Sequence, residues 1–142
     1  MVIIPPFVQM QTVFEMELPI VTVSEANLRE HWSKSAKRHK LQKAQVWVAL
    51  NNYFNDFHRR KFNPRPFIPL PCTVTLTRIS PRKLDQQDNL PTSMKYIVDS
   101  IADFIRPGMA VGRADDTKEI QWVYEQSKGA PKYKGIRIKI EA

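Results

Sequence analysis

Four aspartates occupy two short polar stretches of the chain: Asp85 and Asp88 in LDQQDN, and Asp115 and Asp116 in RADDT. Both stretches lie between segments of regular hydrophobic periodicity, where side chains with chemical roles concentrate. Carboxylates brought together repel one another unless a proton or a cation neutralises them. A donor set made of oxygen, with no His/Cys cluster, matches the hard ion Mg²⁺, with Mn²⁺ as its substitute. A divalent ion held this way activates water and stabilises charge developing on a phosphate, so the chemistry indicated is phosphodiester hydrolysis. Each aspartate also has a local alternative. Asp88 or Asn89 can cap the helix that follows, and Asp115 can shape a turn. What favours a joint role is the recurrence of the pattern together with Lys95, one helical turn before Asp99.

Charge distribution points the same way. The 142 residues hold 22 Lys+Arg and 14 Asp+Glu, a net charge of +8 that suits a polyanionic partner or serves solubility alone. Half of the acids fall between Asp85 and Glu119, where four bases leave the segment at −3 and the rest of the chain at +11. The basic part is densest in SEANLREHWSKSAKRHKLQK, with Arg29, Lys34, Lys37, Arg38, Lys40 and Lys43; Arg82 and Lys83 precede the first acidic stretch. These eight residues are the expected contacts to a nucleic-acid backbone, a sequence-independent and salt-sensitive mode of binding.

Several classes are excluded. With four glycines the chain has neither GxGxxG nor GxxxxGK[ST]. His31, His39 and His58 show no i, i+4 pair and the lone Cys72 no partner, so a zinc site or a disulfide is not expected. No apolar run approaches ~20 residues, and MVIIPPFVQM lacks a basic n-region, so neither a membrane span nor a signal peptide is expected and a cytoplasmic protein is.

The elements that must position these residues read in the order β-α-β-α-β-β. TVFEMELP (12–19) alternates as a half-buried strand. A helix is expected from Ser24, with a basic first half and Trp47, Leu50, Phe54 and Phe57 as the apolar face of its second half. CTVTLTRIS (72–80) is a strand by composition. A second helix is expected over 89–105, with Asn89 as N-cap, Pro91 in its first turn and Met94, Ile97, Val98, Ile101 and Ile105 buried. EIQWVYE (119–125), a hairpin connection in SKGAPKYKG, and IRIKI (136–140) complete the chain. The predicted fold is α+β: two layers, two main helices on a mixed or antiparallel sheet, one domain over 1–142 with 1–11 as an N-terminal arm.

LDQQDNL, KYIVDSIAD and the following DD together resemble the RusA-type endodeoxyribonucleases, the Holliday junction resolvases of phage origin. SEANLREHWSKSAKRHKLQK and WVYEQSKG are similar to other parts of RusA-like proteins, so the likeness spans most of 15–141. Residue by residue, Asp88 and Asn89 match the end of the family's D-x-D-N motif, Asp116 the catalytic member of its acidic pair, and Lys95 its helix lysine. Roughly one extra helical turn separates Asn89 from Lys95. Gln86 stands at the motif's first aspartate, and Asp85 lies one residue further out. In an extended strand Asp85 and Asp88 would face opposite ways, so joint ligation needs a bulge or turn at Gln86–Gln87. The resemblance implies a Mg²⁺-dependent homodimer that nicks branched DNA, with Asp85, Asp88, Asp115 and Asp116 as ligands and Lys95 at the scissile phosphate. The alternatives are a branched-DNA-binding protein with impaired catalysis, for which the altered spacing speaks, and an RNA-directed nuclease.

Overall fold

The computed structural model describes residues 10–23, 30–54, 68–84, 89–106 and 118–142. Its elements are β1 (Thr12–Leu18), α1 (Trp32–Phe54), β2 (Cys72–Ser80), α2 (Asn89–Ser93), α3 (Lys95–Ile105), β3 (Ile120–Lys128) and β4 (Gly135–Glu141). One four-stranded mixed sheet has the order β1-β4-β2-β3, with β2 and β3 parallel and the other pairs antiparallel. The fold is α+β, with α1 and α3 as its two main helices. Among the described residues no helix is long and apolar enough to cross a membrane.

Alternation in the strands explains where the core lies. On β4, Ile136, Ile138 and Ile140 are fully buried. Their cross-strand partners are Leu18, Met16 and Phe14 on β1 and Arg78, Leu76 and Val74 on β2. Val46 and Leu50 of α1, and Met94, Ile97 and Ile101 at and within α3, join the same cluster. Cys72 is buried there too, and burial pushes its thiol above the ordinary value. The opposite sheet face is polar: Glu17 meets Arg137 at 3.1 Å and accepts a hydrogen bond from Tyr133 Oη at 3.0 Å.

Several expectations from the sequence are corrected. α1 opens at Trp32 rather than continuing from Ser24, which itself lies outside the described residues. His31 caps it, its Nδ1 accepting the Ser33 N–H at 3.2 Å and its carbonyl the Lys34 N–H at 3.0 Å. The buried face of α1 is Gln42, Val46, Ala49 and Leu50, turned from the expected stripe, and Trp47 is 47% exposed. Phe54 is partly buried, and Phe57 lies outside the described residues.

The expected 89–105 helix is two. Thr92 and Ser93 hydroxyls donate to the Asn89 and Leu90 carbonyls, and Met94 N–H bonds Pro91 O at 3.1 Å, an i→i−3 turn. This local bonding competes with α-helical continuation and interrupts the α-helical hydrogen-bond pattern at Met94. Asn89 is thus the first residue of α2 rather than its cap.

Residues 129–134 are not a hairpin between neighbours, because β2 lies between β3 and β4. The connection passes the end of β2, where Gly129 N–H bonds Ser80 O and an added Cβ would sit 2.8 Å from Ile79 Cγ2. Of the expected arm 1–11, residues 1–9 lie outside the described residues; Gln11 exchanges both backbone hydrogen bonds with Ala142, which extends the β1–β4 ladder.

Candidate functional site

β2 carries the chain to the first acidic stretch, and the turn after it is held from two sides. Register places Arg78 of β2 beside Gln126 of β3. The Arg78 guanidinium donates from Nη1 to the Arg82 carbonyl at 2.7 Å and from Nε to Thr22 Oγ1 at 3.1 Å. Gln126 grips Leu84 twice: its Oε1 accepts the Leu84 N–H at 2.7 Å, and its Nε2 donates to the Leu84 carbonyl at 2.8 Å. The side chain thereby supplies Leu84 with the donor–acceptor pair that a strand backbone would offer. Asp85 is the next residue, and α2 begins at Asn89.

Asp85, Asp88, Asp115 and Asp116, expected as metal ligands, lie outside the described residues, as does Arg29. Among the described residues no group of three or more His, Cys, Asp or Glu could hold a metal ion. What is described is the frame around the acidic stretches. The first runs from the clamped Leu84 to the head of α2; the second precedes Ile120, where Glu119 O accepts the Cys72 N–H at 2.9 Å.

Lys95 opens α3 and is exposed. It lines a cavity of about 220 Å³ with Pro91, Thr92, Val98 and Tyr124. Its Nζ lies 5.7 Å from the Tyr96 ring centroid. Tyr96 in turn stacks on His39 of α1, whose Nε2 is hydrogen-bonded with Ser35 Oγ at 3.0 Å. A polar and aromatic bridge thus joins the basic half of α1 to the head of α3. Asp99, one turn after Lys95, is half-buried.

The expected phosphate contacts sort by position on α1. Lys34, Lys37 and Lys40 are exposed. At about 100° per residue they fall on the arc opposite Gln42, Val46, Ala49 and Leu50. Arg38 is half-buried and paired with Glu30. Lys43 lines a cavity with Trp47, Ser100 and Asp103, towards α3. Arg82 and Lys83 are exposed on the turn after β2.

Arg78 and Gln126 did not stand out in the sequence, although a signal was there. In CTVTLTRIS the core parity runs Cys72, Val74, Leu76 and then Arg78; in IQWVYEQSK it runs Ile120, Trp122, Tyr124 and then Gln126. A long polar side chain on the apolar parity of a strand needs a partner inside. Arg78 is 8% exposed, and burial lowers its pKa from the ordinary value. Comparison with protein-family models, characterised proteins and solved structures finds no match to this chain. The class of protein is therefore that of its fold: a two-layer α+β chain with a mixed sheet and a polar turn braced between two parallel strands.

Proposed function

We propose that the protein is a Mg²⁺-dependent, structure-selective endodeoxyribonuclease that hydrolyses phosphodiester bonds in branched DNA, as the RusA-like resolvases it resembles in sequence do. One observation carries the reading: the backbone is clamped at Leu84, the residue before the acidic stretch 85–88, and α2 begins at Asn89, the residue after it, with Lys95 opening the next helix. Functional groups need rigid neighbouring backbone to converge reproducibly. Asp88 and Asp116 hold the cation, assisted by Asp85 and Asp115, and Mn²⁺ can replace Mg²⁺. When bound, the ion lowers the pKa of a water and stabilises charge on the phosphate. Lys95 faces solvent and contributes a positive charge to the scissile phosphate or orients the attacking water. Lys34, Lys37 and Lys40 hold the DNA backbone, the protein acts as a homodimer across the junction, and its setting is the cytoplasm of a bacterium.

Nicking of a synthetic four-way junction in Mg²⁺ tests this. Wild type is expected to nick, and Asp88→Asn to bind the junction without nicking. Equal cleavage by both overturns the assignment of Asp88.

The spacing Asp85-Gln86-Gln87-Asp88 favours one second reading, a branched-DNA-binding protein with impaired catalysis. That reading gains if wild type binds the junction without nicking and takes up no Mn²⁺ in calorimetry. Competition by duplex RNA at equal affinity would instead point to an RNA-directed enzyme.

A further inference from the structure

Resting on the homodimer of the nuclease reading, we infer that two copies of the chain meet through α1, each helix lying antiparallel in a groove between the other copy's α1 and the end of its β1. The second half of α1 prompts this. Residues 44–54 hold no charge, whereas Lys34, Lys37, Arg38, Lys40 and Lys43 all precede them. One side of that half enters the core through Val46, Ala49 and Leu50. Another side is apolar and open: Leu41 is 59% exposed and Val48 55%. A helix apolar on two sides calls for packing on both.

The open side has the spacing of a helix-packing seam. Arg38, Leu41, Gln45, Val48 and Asn52 follow one another at three and four residues, the repeat by which paired helices interlock. Two cavities run beside it, with Pro19 and Gln45 lining both. The larger, about 480 Å³, lies against Met16, Leu18 and Ile20 and has no charged residue in its lining. The smaller, about 250 Å³, lies against Val21 and is rimmed by Lys37 and Arg38.

Charge selects the occupant and its direction. A nucleic-acid strand or an acidic peptide would find no cation in the larger cavity. An antiparallel second α1 sets Lys37 and Arg38 of one copy beside the C-terminal end of the other helix, where the dipole is negative and the last turn carries no base. A parallel pair would press the two basic halves together. The contact is isologous: with the twofold axis near Gln45, the middle of the seam, Leu41 of each copy lies towards Val48 of the other. β1 is the edge of the sheet, but Glu15 and Glu17 discourage pairing it with another strand, which leaves the helix side to carry the contact. The two basic ends then stand on the order of 25 Å apart at 1.5 Å per residue, a twofold pair of positive patches for the arms of one branched DNA.

Sedimentation of the full chain tests this, read beside the thermal midpoint and junction nicking. Wild type is expected to sediment as a dimer. Leu41→Glu combined with Val48→Glu is expected to raise the dimer dissociation constant by roughly 100-fold or more, the scale of losing two central contacts, with the thermal midpoint close to wild type. Since Cys72 is buried, one introduced cysteine reports proximity between copies. Gln45→Cys, near the axis, is expected to form a disulfide-linked dimer under oxidation, and Asn52→Cys, far from it, is not. A wild type that stays monomeric at high micromolar concentration overturns the interface, and so does a folded double variant that remains dimeric. Equal cross-linking of both cysteine variants overturns the antiparallel pairing. A dimeric wild type that does not nick the junction overturns the nuclease reading and leaves the interface standing.

Discussion

Lys95 is the one expected catalytic side chain among the described residues, and its surroundings define its role. It is exposed, stands at the first residue of α3 beside the break at Met94, and belongs to no apolar cluster. Its removal should leave the fold intact, since surface substitutions usually cost within ~0.5 kcal/mol. A positioned charge at a phosphate is another matter. Lys95→Ala is expected to lower junction nicking by about 100-fold or more, the usual scale for one electrostatic contact in a transition state. Junction affinity should change little, and Lys95→Arg should restore part of the rate. Single-turnover nicking beside a filter-binding assay separates the two quantities; a parallel loss of affinity and rate would make Lys95 a binding residue instead. The lysine was legible from its four-residue step to Asp99. Arg78 and Gln126 were marked only by their polar side chains on an apolar parity, and their partners were not legible, because nothing in one strand says which residue of another lies beside it.

At the scale of elements, α1 shows how tertiary contacts choose among faces that a sequence offers. Trp47, Leu50 and Phe54 form one reasonable apolar stripe, and Val46, Ala49, Leu50 and Tyr53 form another. The second is the one α1 turns inward: Val46 and Leu50 are fully buried and Ala49 nearly so, while Tyr53 and Phe54 both pack on Phe14 of β1, at 4.8 and 5.9 Å. Trp47 instead lies at the margin, edge-on to Phe104 at 5.5 Å. Leu50→Ala should therefore destabilise by about 2–5 kcal/mol, the cost of a core cavity. Trp47→Ala, despite the larger side chain lost, should cost less, since it forfeits an aromatic pair of roughly 0.5–1.5 kcal/mol and area that is half exposed already. Urea unfolding of both variants ranks them, and the reverse order would contradict the orientation of α1. The split between α2 and α3 has the same lesson. Periodicity alone carried one helix through Met94, while Thr92 and Ser93 hydroxyls end the first one.

For the whole molecule, the proposed function assigns different tasks to the two unlike charge regions. Lys34, Lys37 and Lys40 stand on the solvent side of α1, and the −3 segment follows β2 and precedes β3. Binding to DNA through phosphate contacts makes log K fall linearly with log salt, by about 0.9 per contact for duplex DNA. The triple variant Lys34→Ala, Lys37→Ala, Lys40→Ala should flatten that slope by about 2–3. The slope is read by titrating the junction at several salt concentrations. An unchanged slope would remove this face of α1 from the interface.

Apart from the split between α2 and α3, the sequence by itself determined the kinds and order of the elements: alternation in 12–19 and 136–140, β-branched density in 72–80 and the apolar face of 94–105 are local patterns that each point to one secondary structure. It also singled out the acidic stretches, since like charges gathered in a basic chain are conspicuous without coordinates. Only the tertiary structure decided that β3 joins the sheet parallel to β2, outside it rather than beside β4. Strand partners are chosen by surfaces far apart in sequence: Ile136, Ile138 and Ile140 are buried because β1 and β2 flank them on both sides. That same choice brings Gln126 to Leu84 and Arg78 to Arg82, contacts that the composition of the polar segment after β2 does not reveal.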